Sequence, residues 1–132
     1  MADKLQFDLV SPERLLLSEE VDMVTLPGAE GDFGVLPGHA PVLSTLKSGV
    51  VEVKGVSDAL SRLFVRGGFA EVNGDKVTVL AEEATALAEL DLEELDQNIR
   101  NTEEDLAAAK TDEDREKAAA SLAYLKLLRA AA

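Results

Sequence analysis

Phe69-Ala70-Glu71-Val72-Asn73-Gly74-Asp75-Lys76-Val77-Thr78-Val79-Leu80 decides the fold class of this 132-residue chain. Phe69 to Val72 and Val77 to Leu80 read as strands, and Asn73-Gly74-Asp75 joins them. Asn-Gly is the strongest short hairpin signal, because both residues tolerate the positive φ of a type I′ turn. The same grammar runs upstream. Leu5, Phe7 and Leu9 alternate with Lys4, Gln6 and Asp8, and Val51 and Val53 alternate with Glu52 and Lys54. That period of two marks half-buried strands. Leu15 to Leu17, Val21 to Leu26, Val35-Leu36, Val42 to Leu46 and Leu60 to Arg66 are further short pieces. Ser11-Pro12-Glu13, Pro27-Gly28, Pro37-Gly38 and Ser48-Gly49 punctuate them. Eight to ten short strands with closely spaced turns predict a β-sandwich or barrel. A βαβ domain is excluded, since no stretch of about ten residues before Ala81 has helical periodicity.

Downstream of this stretch the grammar changes. All nine glycines, all four prolines and all thirteen valines lie before residue 80, whereas the chain beyond residue 86 is rich in alanine, leucine and glutamate. These lose little side-chain entropy in a helix, so the seam is one of secondary structure. It divides the chain into residues 1–86 and 87–132. Asp91 stands where a helix cap is needed, with Glu94 at capping-box spacing. Leu92, Leu95, Ile99, Thr102, Leu106 and Ala109 form one stripe opposite Glu93, Gln97, Arg100 and Glu104. Lys110-Thr111-Asp112 breaks the run, and Thr111 or Asp112 caps a second helix over about 113–129. Ala118, Leu122 and Leu125 line its apolar face, with Ala119, Ala123 and Leu127 widening it. The expectation is an antiparallel αα-hairpin with a thin apolar seam, the part of the chain that detaches first.

Composition narrows the function. Thirteen basic against 26 acidic residues give a formal charge of −13 and a pI near 4.4. Nucleic acid and anionic membrane surfaces both require a dense positive patch, which argues against either as main partner. Cysteine is absent, so neither a disulfide nor a thiolate site exists. Met1 to Gln6 carries no signal-like apolar run, so neither a secretory signal nor an arginine-rich transit segment is expected. No apolar stretch approaches the roughly 18 residues of a membrane helix, so any membrane association is expected to be indirect.

Catalytic chemistry fares poorly. The one histidine, His39, sits in Pro37-Gly38-His39-Ala40-Pro41, where a hydrogen-bonding loop role or contact with a partner is the natural reading. Glu82-Glu83, Glu93-Glu94 and Glu103-Glu104 are adjacent pairs, whose members point in different directions and form no convergent dyad. Gly28-Ala29-Glu30-Gly31-Asp32-Phe33-Gly34 lacks the Lys-Ser/Thr of a phosphate loop, and its carboxylates repel phosphate. It reads as a glycine-rich bend. Gly67-Gly68 reads as a tight connection or bulge. No catalytic residue, metal site or cofactor is expected.

Several segments together carry a family resemblance. Phe7-Asp8-Leu9-Val10-Ser11-Pro12-Glu13-Arg14, the central run from Leu26 to Pro41, Gly67-Gly68-Phe69-Ala70-Glu71-Val72 and Val77-Thr78-Val79-Leu80-Ala81-Glu82 occur in one order. In that order, and with a C-terminal hairpin, the chain resembles the epsilon subunits of rotary F-type ATP synthases, called delta in mitochondria. The resemblance implies a ten-stranded N-terminal β-sandwich and a two-helix C-terminal domain. It also implies a non-catalytic rotor subunit that clamps the gamma stalk to the membrane c-ring and couples ring rotation to ATP synthesis. The bacterial type is expected, peripheral on the cytoplasmic face of the inner membrane within the F1 sector. The implied partner-contact residues are Asp32, one methylene shorter than the glutamate often found there, and His39. Both are expected on turns. The hairpin of the family folds against the sandwich or extends along gamma toward the alpha and beta subunits, restraining hydrolysis. Some members bind ATP through an Ile/Leu-Asp-x-x-Arg-Ala segment, making a regulatory nucleotide-binding module the alternative reading. Here Leu90 and Asp91 match, but Glu94 and Leu95 replace the arginine and alanine. A carboxylate at the arginine position loses the phosphate-directed charge.

Overall fold

The computed structural model describes residues 4–132. Met1, Ala2 and Asp3, part of the stretch read for a leader, lie outside the described residues. The chain divides into two compact units, ending and beginning at Glu89 and Leu90.

The first unit contains ten strands: β1 (Leu5–Val10), β2 (Leu15–Val21), β3 (Met23–Gly28), β4 (Gly31–Val35), β5 (His39–Leu46), β6 (Gly49–Lys54), β7 (Arg62–Val65), β8 (Gly68–Gly74), β9 (Lys76–Leu80) and β10 (Ala84–Ala86). They form one continuous hydrogen-bonded path, β10-β7-β6-β3-β5-β8-β9-β1-β2, with β4 paired to β3. The path curls around one apolar core. Leu5, Phe7 and Leu9 of β1 enter it beside Val21, Val24, Leu26, Val51, Val53, Val72, Val77 and Val79. This is the inward half of the period-two pattern, and no buried residue among those described is polar or charged. All neighbours are antiparallel except β1 and β9, which pair in parallel from Gln6↔Lys76 to Val10↔Leu80.

Boundaries differ from the sequence reading at five places. The piece read as Val21 to Leu26 is cut at Asp22. Val21 closes β2, and the Asp22 N–H donates to the Lys54 carbonyl at 2.7 Å. Leu60 belongs to a 3-10 turn, Asp58–Leu60, rather than to β7. The glycine-rich bend is a two-residue hairpin, since Gly28 pairs with Gly31 and leaves only Ala29-Glu30 outside the ladder. The β8–β9 turn slides by one residue. Asn73 pairs with Lys76, so Gly74-Asp75 is the loop. Gly74 has φ +64°, and no described non-glycine residue has positive φ. That order fits the type II′ arrangement, glycine first, rather than type I′. Finally, β10 escaped the periodicity reading because three residues are too few to show one; its register against β7 is Ala84↔Val65 to Ala86↔Leu63.

The second unit is an αα-hairpin of α1 (Leu92–Ala108) and α2 (Asp112–Ala131). Asp91 Oδ1 accepts the N–H groups of Glu93 and Glu94 at 3.0 and 3.2 Å, and Thr111 Oγ1 accepts that of Asp114 at 3.1 Å. Both caps thus satisfy otherwise orphan donors. Leu95, Ile99, Thr102, Leu106 and Ala109 are buried or half-buried, as the stripe requires, while Leu92 is exposed. On α2, Ala118, Leu122 and Leu125 hold to the expected line, but Ala119, Ala123 and Leu127 face solvent. Tyr124 and buried Leu128 widen the face instead. At about 100° per residue, 124 and 128 flank the line on the side opposite 119, 123 and 127. None of the described helices is long and apolar enough to cross a membrane.

Candidate functional site

Asp32 and His39 do not sit on turns. Asp32 is the second residue of β4, paired with Pro27, and His39 opens β5, paired with Gly74. Asp32 clears the turn because the β3–β4 connection is only two residues long. His39 enters the ladder through a bulge, as Ala40-Pro41 falls between its pair and Val42↔Val72. Proline donates no hydrogen bond to a ladder, which accounts for the interruption. The fold brings both residues to the wall of one open groove of about 590 Å³, between the β3–β4 hairpin and Val42 to Thr45 of β5. The hairpin tip is braced against β5. The Ala29 N–H donates to the Thr45 carbonyl at 2.9 Å, and the Lys47 N–H to the Pro27 carbonyl at 3.0 Å. His39 Nδ1–H donates to the Ala40 carbonyl at 2.7 Å, which fixes the ring's tautomer. Glu30 and Asp32 give the groove an acidic edge. Among the described residues no three potential ligands gather to hold a metal.

On the outer face of the sheet the pairing registers align Thr45, Phe69, Leu80, Val10 and Leu15 across β5, β8, β9, β1 and β2. Phe69 is 52% exposed, Leu80 41% and Leu15 57%. Leu43, two residues before Thr45 and so on the same face, adds further exposed apolar surface on β5. Isolated exposed leucines are ordinary; an apolar row aligned across four strands, from Phe69 to Leu15, is a candidate interaction surface.

A polar cluster borders this row. Gln6 Nε2 and Ser18 Oγ donate to Asp8 Oδ1 at 2.9 and 2.7 Å, and Lys76 Nζ lies 3.6 Å from Oδ2. The Gln6 hydrogen bond above all, then that of Ser18, with help from the Lys76 charge, holds the Asp8 carboxyl below its ordinary 3.8 against the opposing effect of burial. A carboxyl depressed in the folded state contributes stability above its unfolded pKa, and that contribution is lost as pH falls through the folded value. Thermal stability should therefore fall as pH drops below about 4, and Asp8→Asn should flatten that part of the curve. Equal acid sensitivity of both proteins would remove Asp8 from the account.

The description "ATP synthase, Delta/Epsilon chain, beta-sandwich domain" matches residues 4–87. The chain belongs to the ATP synthase delta/epsilon family. It is 54% identical over 129 residues to the ATP synthase epsilon chain of Parvibaculum lavamentivorans, covering 98% of each. With that of Maricaulis maris it shares 50% identity, over 100% of this chain and 98% of the other. Among solved structures, a chain of the Euglena gracilis mitochondrial ATP synthase (OSCP, F1 and c-ring, rotational state 1) superposes with a TM-score of 0.77 at 28% identity. That superposition covers 97% of this chain and 81% of the other. A chain of the Tetrahymena thermophila central stalk and c-ring has the same fold, with a TM-score of 0.65 at 16% identity over 98% of both.

Sequence reasoning missed the outer row of this delta/epsilon chain. The signal was present, because Phe69 alternates with buried Ala70 and Val72, and Leu80 follows buried Val77 and Val79 by the same period. Apolar residues in phase with the polar face are candidates for contact. Their alignment, however, depends on registers that period alone does not set.

Proposed function

We propose that this chain is a non-catalytic rotor subunit of a bacterial F1Fo ATP synthase, coupling c-ring rotation through the gamma subunit to ATP synthesis. It is a peripheral subunit at the cytoplasmic face of the membrane, and its partners are the gamma stalk and the c-ring. The observation that carries the mechanism is the exposed apolar row on the outer sheet face. A coupling subunit transmits torque by staying attached, so it needs a broad, well-packed interface on a rigid body rather than a converging polar site. The curled sheet is such a body, with an uninterrupted apolar core.

Residues 1–86 bind gamma and the ring, and residues 87–132 act as a separate, mobile regulatory piece reaching the alpha and beta subunits. Asp32 and His39 are the ring-side contacts; the acidic edge of their shared groove suits basic loops, and charge of this kind orients a complex more than it tightens it. Asp32→Lys should weaken assembly with the membrane sector and ATP-driven proton pumping, while shifting stability by no more than about 0.5 kcal/mol. Intact pumping would remove Asp32 from the interface, and a large loss of stability would make it part of the scaffold. Capture of this chain by purified gamma subunit tests the function itself.

The nucleotide-sensing alternative predicts a cationic pocket in the hairpin. Arg100 donates to Gln97 Oε1 at 2.9 Å, Arg115 to Asp112 at 2.8 Å and Arg129 to Asp96 at 2.9 Å. Arg115 and Arg129 stand fourteen residues apart on α2, about 21 Å along the axis, so these two do not converge on one triphosphate. Asp91 is engaged as a cap. Calorimetry with ATP and magnesium should give no saturable isotherm below the millimolar range. A one-to-one isotherm lost on Asp91→Ala would reinstate the alternative.

A further inference from the structure

The side-chain bonds of the hairpin mostly stabilise one helix at a time. Gln97 donates to Asn101, Arg100 to Gln97 and Arg115 to Asp112, and Lys117 pairs with Glu113. The bond from Arg129 Nε to Asp96 Oδ1 spans 33 residues and joins α2 to α1. Its position is mechanical. Thr111 caps α2 beside the connection, and Arg129 lies eighteen residues further along, about 27 Å from that covalent joint. At this open end the helices have no peptide link, and separation begins where tethering is weakest. Buried Leu95 and Leu128 are the chain neighbours of Asp96 and Arg129, so the ion pair sits at the margin of the apolar seam.

We propose that Asp96 and Arg129 form a fastener that holds the open end of the hairpin shut, making release of α2 from α1 sensitive to ionic strength. The two side chains are 43% and 41% exposed, so salt reaches the pair and weakens it. Leu95, Leu122 and Leu128 are the buried residues of the two helices, so the apolar seam is thin and a modest contribution shifts the opening equilibrium.

Hydrogen exchange on the full chain tests this. Asp96→Asn should speed exchange across residues 122–131 roughly 2- to 5-fold at low salt, the range of an exposed ion pair, with the β core unchanged. Raising salt from low to about 0.5 M should speed exchange in the wild type and leave Asp96→Asn nearly unaffected. Arg129→Lys should retain part of the protection that Arg129→Gln loses. The double variant Asp96→Asn/Arg129→Gln should be no faster than the quicker single variant. If the two effects instead sum, each residue acts on its own helix dipole and the fastener is refuted. Wild-type exchange independent of salt would refute it equally.

Discussion

Phe69→Thr should weaken capture by the gamma subunit roughly 30-fold or more, with cooperative unfolding retained, because a central aromatic anchor typically contributes at least 2 kcal/mol. Phe69 is the largest side chain of the outer row and lies within it, second from the β5 end, between Thr45 and Leu80. Threonine suits a pleated strand, so the ladder survives and only the exposed ring is removed. Its cross-strand contact with Leu80 accounts for about 0.2–1 kcal/mol of the fold, well below the binding loss. Leu80→Thr should act in the same direction and, as a neighbour in contact, less than additively. Titrating immobilised gamma subunit with each variant, alongside thermal unfolding, separates the two effects. Unchanged affinity in Phe69→Thr would move the interface to another face.

One residue earlier the outcome should invert. Gly68 has φ +131°, and a methyl group there would fall inside the van der Waals shell of the Leu80 carbonyl oxygen. Gly68→Ala therefore incurs backbone strain and pushes β8 from β9 at the Phe69↔Leu80 pair. A cost of about 3 kcal/mol or more is expected, a fall in Tm of roughly 12–24 °C. Gly74 also has positive φ, but a Cβ there meets nothing within 4 Å. Gly74→Ala should cost only the strain, about 1–2 kcal/mol. Equal Tm values for the two variants would show that β8 relaxes freely and that the close approach to Leu80 carries no weight.

Asp8, Asp32 and His39 show how much of the site was legible. Residue type and motif position pointed Asp32 and His39 toward a partner, and the period of two put Asp8 on the polar face of its strand. Their surroundings did not follow from the sequence. Asp32 and His39 share a groove because β3 places β4 and β5 around the same hairpin tip, and Asp8 is depressed by Gln6 of its own strand, joined by Ser18 and Lys76 that β2 and β9 bring to it. Local spacing says which way a side chain points. It is silent on which strand lies beside it.

The sequence by itself determined the strands with clear alternation, the seam between β and α grammar, and the capped ends of both helices. Those properties depend on residues within one turn or one hairpin, where propensity, period and hydrogen-bonding side chains act directly. Only the tertiary structure decided that β1 runs parallel to β9 about seventy residues away, that β10 exists, and that the β8–β9 turn closes on Gly74-Asp75. It alone aligned Phe69 with Leu80 and Leu15, and Asp96 with Arg129. The physical reason is that loop-closure entropy grows only logarithmically with separation, so distance along the chain selects weakly among long-range pairings. What selects is the requirement that every inward face close on one core without voids, a condition on the whole chain at once.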